Sequence, residues 1–330
     1  MADLKTIAQD KEKDRKKYRA AHTAPALAAA SMLLMLAVRY VDSSVYTLRD
    51  NIYLSVIIIQ LMVFVLPGIF RLRLMGTGAI MHLNFKPIGV RSLRFIADSA
   101  MALVGITILM KLIMYNFGVY SGEFTFFGRF VPYGSIRADF AGLSYLVLAF
   151  AVLPAAAEEF VFRSLIFCEY RDMAGGVVAA LMSSFLYAAA GLSITQFPLY
   201  FVIGLILSSI CSVTGSFWAA FIVRLFYNII SLMFEYNLAT VMRTSGSLVF
   251  FAFAMTMLTA LFSYLALTQA GRIYDDMAKS DAPQPPYASE PFSKRLLSSV
   301  FSPVFLICIV IFAASLILPD SGSDFPSAMP

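Results

Sequence analysis

Runs of apolar residues long enough to cross a bilayer follow one another along this chain, about nine of them by the rule of roughly 20 residues per crossing. Nothing constrains the fold more. In hydrocarbon each backbone N–H and C=O must be satisfied internally, so runs this continuous are read as helices. Composition agrees: 60% of the residues are hydrophobic and 14% charged, where soluble domains hold about 45–50% and 25%. The expected fold class is all-α, a polytopic transmembrane helix bundle of about eight to nine spans.

The spans are expected near residues 24–41, 52–70, 96–117, 140–167, 175–192, 197–213, 217–234, 248–268 and 300–318. Seven of the 25 Lys and Arg lie between Lys5 and Arg19, ahead of the first span, and Arg71, Arg73, Lys86, Arg91 and Arg94 follow the second. Both clusters carry the positive-inside signal, so the N-terminus is expected to be cytoplasmic, in a plasma membrane or its equivalent. The net charge of +5 then concerns orientation, and no nucleic-acid partner is expected. The small residues Ala24 to Ala30 precede the first apolar core instead of following it, which argues for an uncleaved span and against a secretory signal.

Five parts result: a basic tail (1–21), N-terminal spans with an aromatic interfacial loop (22–140), a core bundle (141–270), a Pro-rich linker (271–297), and a last span with its tail (298–330). Lys111, near the outer end of its span, is expected to snorkel to the headgroups. The segment 118–139, rich in Phe and Tyr, suits an interfacial or re-entrant position or an ordinary exposed loop. The three cysteines, Cys168, Cys211 and Cys308, are too scattered for a disulfide framework or a thiolate metal site.

In the fourth span the apolar run is broken by Glu158, Glu159 and Arg163. A charge near the bilayer centre costs roughly 2.5–3.5 kcal/mol on insertion scales, so an acidic pair there is read as functional. Glu159 and Arg163 are four apart, on one helical face, with the acid N-terminal. Glu158 lies about 100° round the helix and is not served by Arg163. The plainer alternative is a span end with solvated charges, yet apolar sequence continues to Phe167. In the seventh span Arg224 and Asn228 also share a face, and a cation so deep needs an anion; Glu158 is the unpaired one.

With these residues in place the chain resembles the CPBP family of membrane endopeptidases, which includes the CAAX prenyl proteases. Glu158, Glu159 and Arg163 fit its EExxxR motif. Phe185 and Ala189 stand where FxxxH is expected, and Arg224 with Asn228 where HxxxN or HxxxD is expected, so both motif histidines are replaced. The resemblance covers about residues 141–235. It implies a site in which a carboxylate of the first motif activates water, the histidines hold a metal or polarise the water, and the asparagine completes the set. Candidate catalytic residues are thus Glu158, Glu159, Arg163, Arg224 and Asn228.

The family's zinc is expected to be absent and no cofactor is expected, because zinc needs three or more protein ligands. The chain's other two imidazoles, His22 and His82, lie outside the central spans. Three readings follow. The first is a catalytically impaired CPBP-like protein that binds membrane-embedded peptides or proteins. The second is a metal-independent endopeptidase with Glu158 as base and Arg224 with Asn228 as oxyanion stabilisers; a carboxylate held by a guanidinium is, in general, a weaker base. The third, a transporter or channel with buried acids, lacks the internal repeat such folds commonly show.

Overall fold

A computed structural model describes residues 22–38, 52–76, 83–90, 92–119, 140–242, 245–278 and 291–318. The described residues form helices and no strand beyond a single bridge between Phe85 and Ser216. In chain order the helices are α1 (His22–Val38), α2 (Ile52–Gln60, Leu61–Val65 and Leu66–Met75 in continuity), and α3 (Ser92–Asn116). Next come α4 (Phe140–Val147 through Phe167–Ala174), α5 (Gly176–Ala190) and α6 (Phe197–Thr214). The series closes with α7 (Phe217–Met242), α8 (Ser245–Ala278), α9 (Phe292–Val300) and α10 (Pro303–Ile317).

Each expected apolar run is helical where it is described, but not all are long enough to cross alone. Five helices meet the length and apolarity of a crossing, and a sixth arises if the bent pair α9–α10 counts as one. Three others, His22–Val38, Gly176–Ala190 and Phe217–Met233, are shorter apolar helices. A 15-residue helix such as α5 rises only about 22 Å, short of a hydrocarbon layer of roughly 30 Å. It can be short because most of its residues are covered by protein, from Val178 to Ala190. The chain is an integral membrane protein.

Two prolines shape the long spans. Pro67 and Pro154 have no N–H to give to the carbonyl four residues back and press their rings against it. A π-helical turn precedes each, Leu61–Val65 and Leu148–Val152, and opens the helix where that bond is lost. A third π segment, Phe160–Ile166, has no proline behind it and follows Glu159 directly. Packing does the rest. Gly204 on α6 faces Ser184 on α5 so closely that an added Cβ would lie 2.9 Å from Ser184 Cα. Phe162, Leu165, Ile166, Phe167, Leu186 and Tyr187 are fully buried where α4 meets α5.

Three expectations need correction. Lys111 does not snorkel: it is 4% exposed, because the start of α8 (Leu248, Phe251, Ala252) covers that end of α3 around Leu112. The break in composition at Gly271 is not a break in structure. α8 continues to Ala278 because its polar last turns are tied down, Gln269 donating to Asp98 and Tyr274 lying 3.4 Å from Ser212. The last helical unit begins at Phe292, ahead of the expected start, and turns by 58° into α10. The aromatic segment 120–139, the basic tail, residues 279–290 and the tail after 318 lie outside the described residues.

Candidate functional site

α4 carries its acids between two widened turns, and both are fully buried: Glu158 and Glu159 are 0% exposed. A buried carboxylate must be paired. From α7, Arg224 Nη2 donates to Glu158 Oε2 at 2.8 Å, closing the ion pair expected from the sequence. From α5, the Tyr187 hydroxyl donates to the same oxygen at 3.0 Å. Glu159 has its own cation one turn on, with Arg163 Nε 3.2 Å from Oε2, and Arg163 Nη2 donates to the Gly204 carbonyl of α6 at 3.2 Å. The quartet is electroneutral, two carboxylates against two guanidinia.

Tyr187 stands between the two pairs. The Arg163 guanidinium lies 4.6 Å from its ring centroid and that of Arg224 5.5 Å, so one aromatic face system serves both cations. Phe162 and Tyr200 wall the ring with edge contacts. Asn228 joins the group differently. Its amide Nδ2 donates to the Ala151 carbonyl at 3.1 Å, inside the π turn that precedes Pro154. The five residues singled out from the sequence therefore meet across α4 and α7, but Asn228 holds backbone and is not bonded to a carboxylate.

Polar capacity is left over. Glu158 Oε1, Glu159 Oε1, Arg163 Nη1, and Arg224 Nε and Nη1 have no hydrogen-bond partner among the described residues. Buried groups of this kind call for water or a ligand. The arrangement can hold a polar group that both donates and accepts.

Residues 140–230, which contain every member of this group, match the family described as type II CAAX prenyl endopeptidase Rce1-like. The core is CAAX-endopeptidase-like. Searches of curated proteins and of solved structures found no match.

A CAAX-endopeptidase-like core is the setting in which zinc has to be tested against the donors present. Ala189, fully buried on α5, offers no donor atom, and Arg224 brings positive charge to the second histidine position. Glu158 Oε2 is already taken twice, and no group of three His, Cys, Asp or Glu is found among the described residues. The residues do not fit a zinc ion. Phe185, the other half of the second motif, turns away from the acids and packs on Phe197 and Phe305.

Sequence reasoning passed over Tyr187, although a tyrosine among small apolar residues, between the two positions of the second motif, is itself a signal for a buried hydroxyl needing a partner. It also missed Glu169, three turns below Glu158. That carboxylate takes two bonds from Arg71, at 2.9 and 2.7 Å, and one from Thr23 at 2.6 Å, joining α1, α2 and α4. Beside it Arg171 donates to Asn84 Oδ1 at 2.7 Å. Asn84 belongs to a loop that also bonds the α6–α7 turn, with Ser216 donating to the Lys86 carbonyl.

Proposed function

We propose that the protein is a CAAX-endopeptidase-like membrane protein in which Arg224 has replaced a metal as the counter-charge of Glu158. Proteolysis is lost or weakened, and the bundle binds membrane-embedded peptides or proteins. The observation that carries this reading is the buried 2.8 Å contact between Arg224 and Glu158. A guanidinium cannot give up its proton, so the carboxylate at the general-base position stays committed to it. The unpartnered carboxylate and guanidinium atoms beside the pair suit a backbone amide, which supplies one donor and one acceptor. The basic clusters favour a cytoplasmic N-terminus in a plasma membrane or its equivalent.

A second reading keeps catalysis, with Glu158 as base and Arg224 and Asn228 as stabilisers of a developing oxyanion. The free Glu158 Oε1 and Arg224 Nη1 favour it. Against it stands Asn228, whose amide N–H is spent on Ala151. One experiment separates the two. Wild type and Glu158→Gln are compared for capture and for cleavage of membrane-embedded peptides, with and without chelator. Capture without cleavage in either protein is expected; cleavage by wild type that disappears in Glu158→Gln overturns the first reading.

A further inference from the structure

One end of the bundle collects cations that the central site does not use. Arg71 and Glu169 place the end of α2 beside the end of α4, Arg171 and Asn84 bring in the loop 83–90, and Arg295 of α9 donates to the Ala174 carbonyl at 2.9 Å. The 3.4 Å approach of Tyr274 to Ser212 brings the end of α8 to the same rim. Around it Arg73, Lys86, Arg272 and Lys294 are exposed and make no ion pair among the described residues. Asp172 is bound to Arg171, and Asp275 is the exposed acid nearest the group in sequence. The balance is positive.

α9 is built to lie in such a rim. It meets α10 at 58°, so where α10 follows the crossing direction α9 departs from it. Arg295, Leu296, Ser299 and Val300 turn toward the protein, while Leu297 and Phe301 remain 60% and 65% exposed with Lys294 beside them. An apolar strip flanked by a lysine, at the mouth of a span, matches the boundary between acyl chains and headgroups. Aqueous solvent would leave those two side chains uncovered. A neutral headgroup layer would leave the four cations unanswered.

From this juxtaposition we infer that the Arg73, Lys86, Arg272 and Lys294 rim, with α9 as its membrane-surface helix, is a binding surface for anionic phospholipid headgroups. Leu297 and Phe301 enter the acyl boundary and the cations meet the phosphates. The surface is separate from the Glu158 site, and the inference does not depend on whether that site cleaves peptides.

The test uses the full chain purified in a neutral detergent and titrated with phosphatidylglycerol or phosphatidylcholine of the same acyl chains, reading thermal unfolding and retained lipid. Phosphatidylglycerol is expected to raise the unfolding temperature and to be retained preferentially, and the preference should shrink as salt is raised. Each cation removed should weaken the preference by roughly fivefold, following about 1 kcal/mol per basic residue at an anionic surface. The variant Arg73→Gln/Lys86→Gln/Arg272→Gln/Lys294→Gln should bind the two lipids alike, and Leu297→Ser/Phe301→Ser should lose retention of both. Should the fourfold variant not fold, the wild-type titrations at low and high salt decide alone. Equal response to the two lipids, a preference insensitive to salt, or the same stabilisation by inorganic phosphate overturns the inference.

Discussion

Replacing Arg224 by methionine is the perturbation that most directly addresses the central pair. Arg224 and Glu158 are 4% and 0% exposed and 2.8 Å apart. At an effective dielectric of about 20 two unit charges at that distance attract by roughly 6 kcal/mol, and the loss of hydration of both ions offsets much of it. The net worth of the pair is therefore small, while the cost of orphaning one member is large. Arg224→Met should destabilise by about 3–5 kcal/mol, the usual result of leaving a buried charge alone. Part of this includes the lost contacts with the Tyr187 and Tyr227 rings, whose centroids lie 5.5 and 5.4 Å from the guanidinium.

Glu158→Gln should cost less, because the amide oxygen can still accept from Tyr187 and Arg224. The double variant removes both charges and should be more stable than the sum of the two single losses implies. Thermal and denaturant unfolding in detergent measures the cycle, and an interaction of about 1–3 kcal/mol is expected. Simple additivity would refute the pairing as the reason for arginine at this position.

Four other outcomes are expected. Metal analysis of purified protein should give well under one zinc per chain; Ala189→His with Arg224→His together should create zinc affinity, and neither change alone should, as equilibrium dialysis would show. Tyr187→Phe removes the hydroxyl from Glu158 Oε2 but keeps the ring between the guanidinia, so unfolding should register a loss of about 1.5–3 kcal/mol, the range for a hydrogen bond to a charged group. Gly204→Ala would set a Cβ 2.9 Å from Ser184 Cα; the overpacking should cost about 1–3 kcal/mol in the same assay, and a neutral result would mean that α5 and α6 can part freely. Cysteines placed at Ser280 and Ser321 should label from opposite sides of the membrane, and labelling from one side would refute an odd number of crossings.

The class of fold and the acid–cation pairs were legible because their signals are local or nearly so. Apolar run length fixed the helices, and the four-residue spacing of Glu159 with Arg163 put them on one face. Arg224 found Glu158 by elimination, since a deep cation has few anions to meet. What escaped depends on distance in the chain. Tyr187 lies 29 residues from Glu158 and Glu169 lies 98 from Arg71, and no periodicity links such positions. Lys111 was misjudged because burial by α8 comes from a helix more than a hundred residues on. The continuation of α8 past Gly271 shows the reverse limit: leaving the apolar layer changes composition without ending the helix.

The wide turn at Phe160–Ile166 has a consequence for how one span serves two networks. A π turn holds a surplus residue, so the chain after it is out of phase with an α-helix drawn through Glu158. Removing one residue there would tighten the turn and rotate everything beyond it by about 100°. Glu169 would swing away from Arg71 and Thr23, and Arg171 from Asn84, while Glu158 kept its place opposite Arg224. The surplus residue acts as a phase shifter, letting the upper half of the span face α5 and α7 while the lower half faces α1, α2 and the loop 83–90. A deletion of Ser164 should thus erase the coupling between Arg71 and Glu169 in a double-mutant cycle and leave that between Arg224 and Glu158 intact.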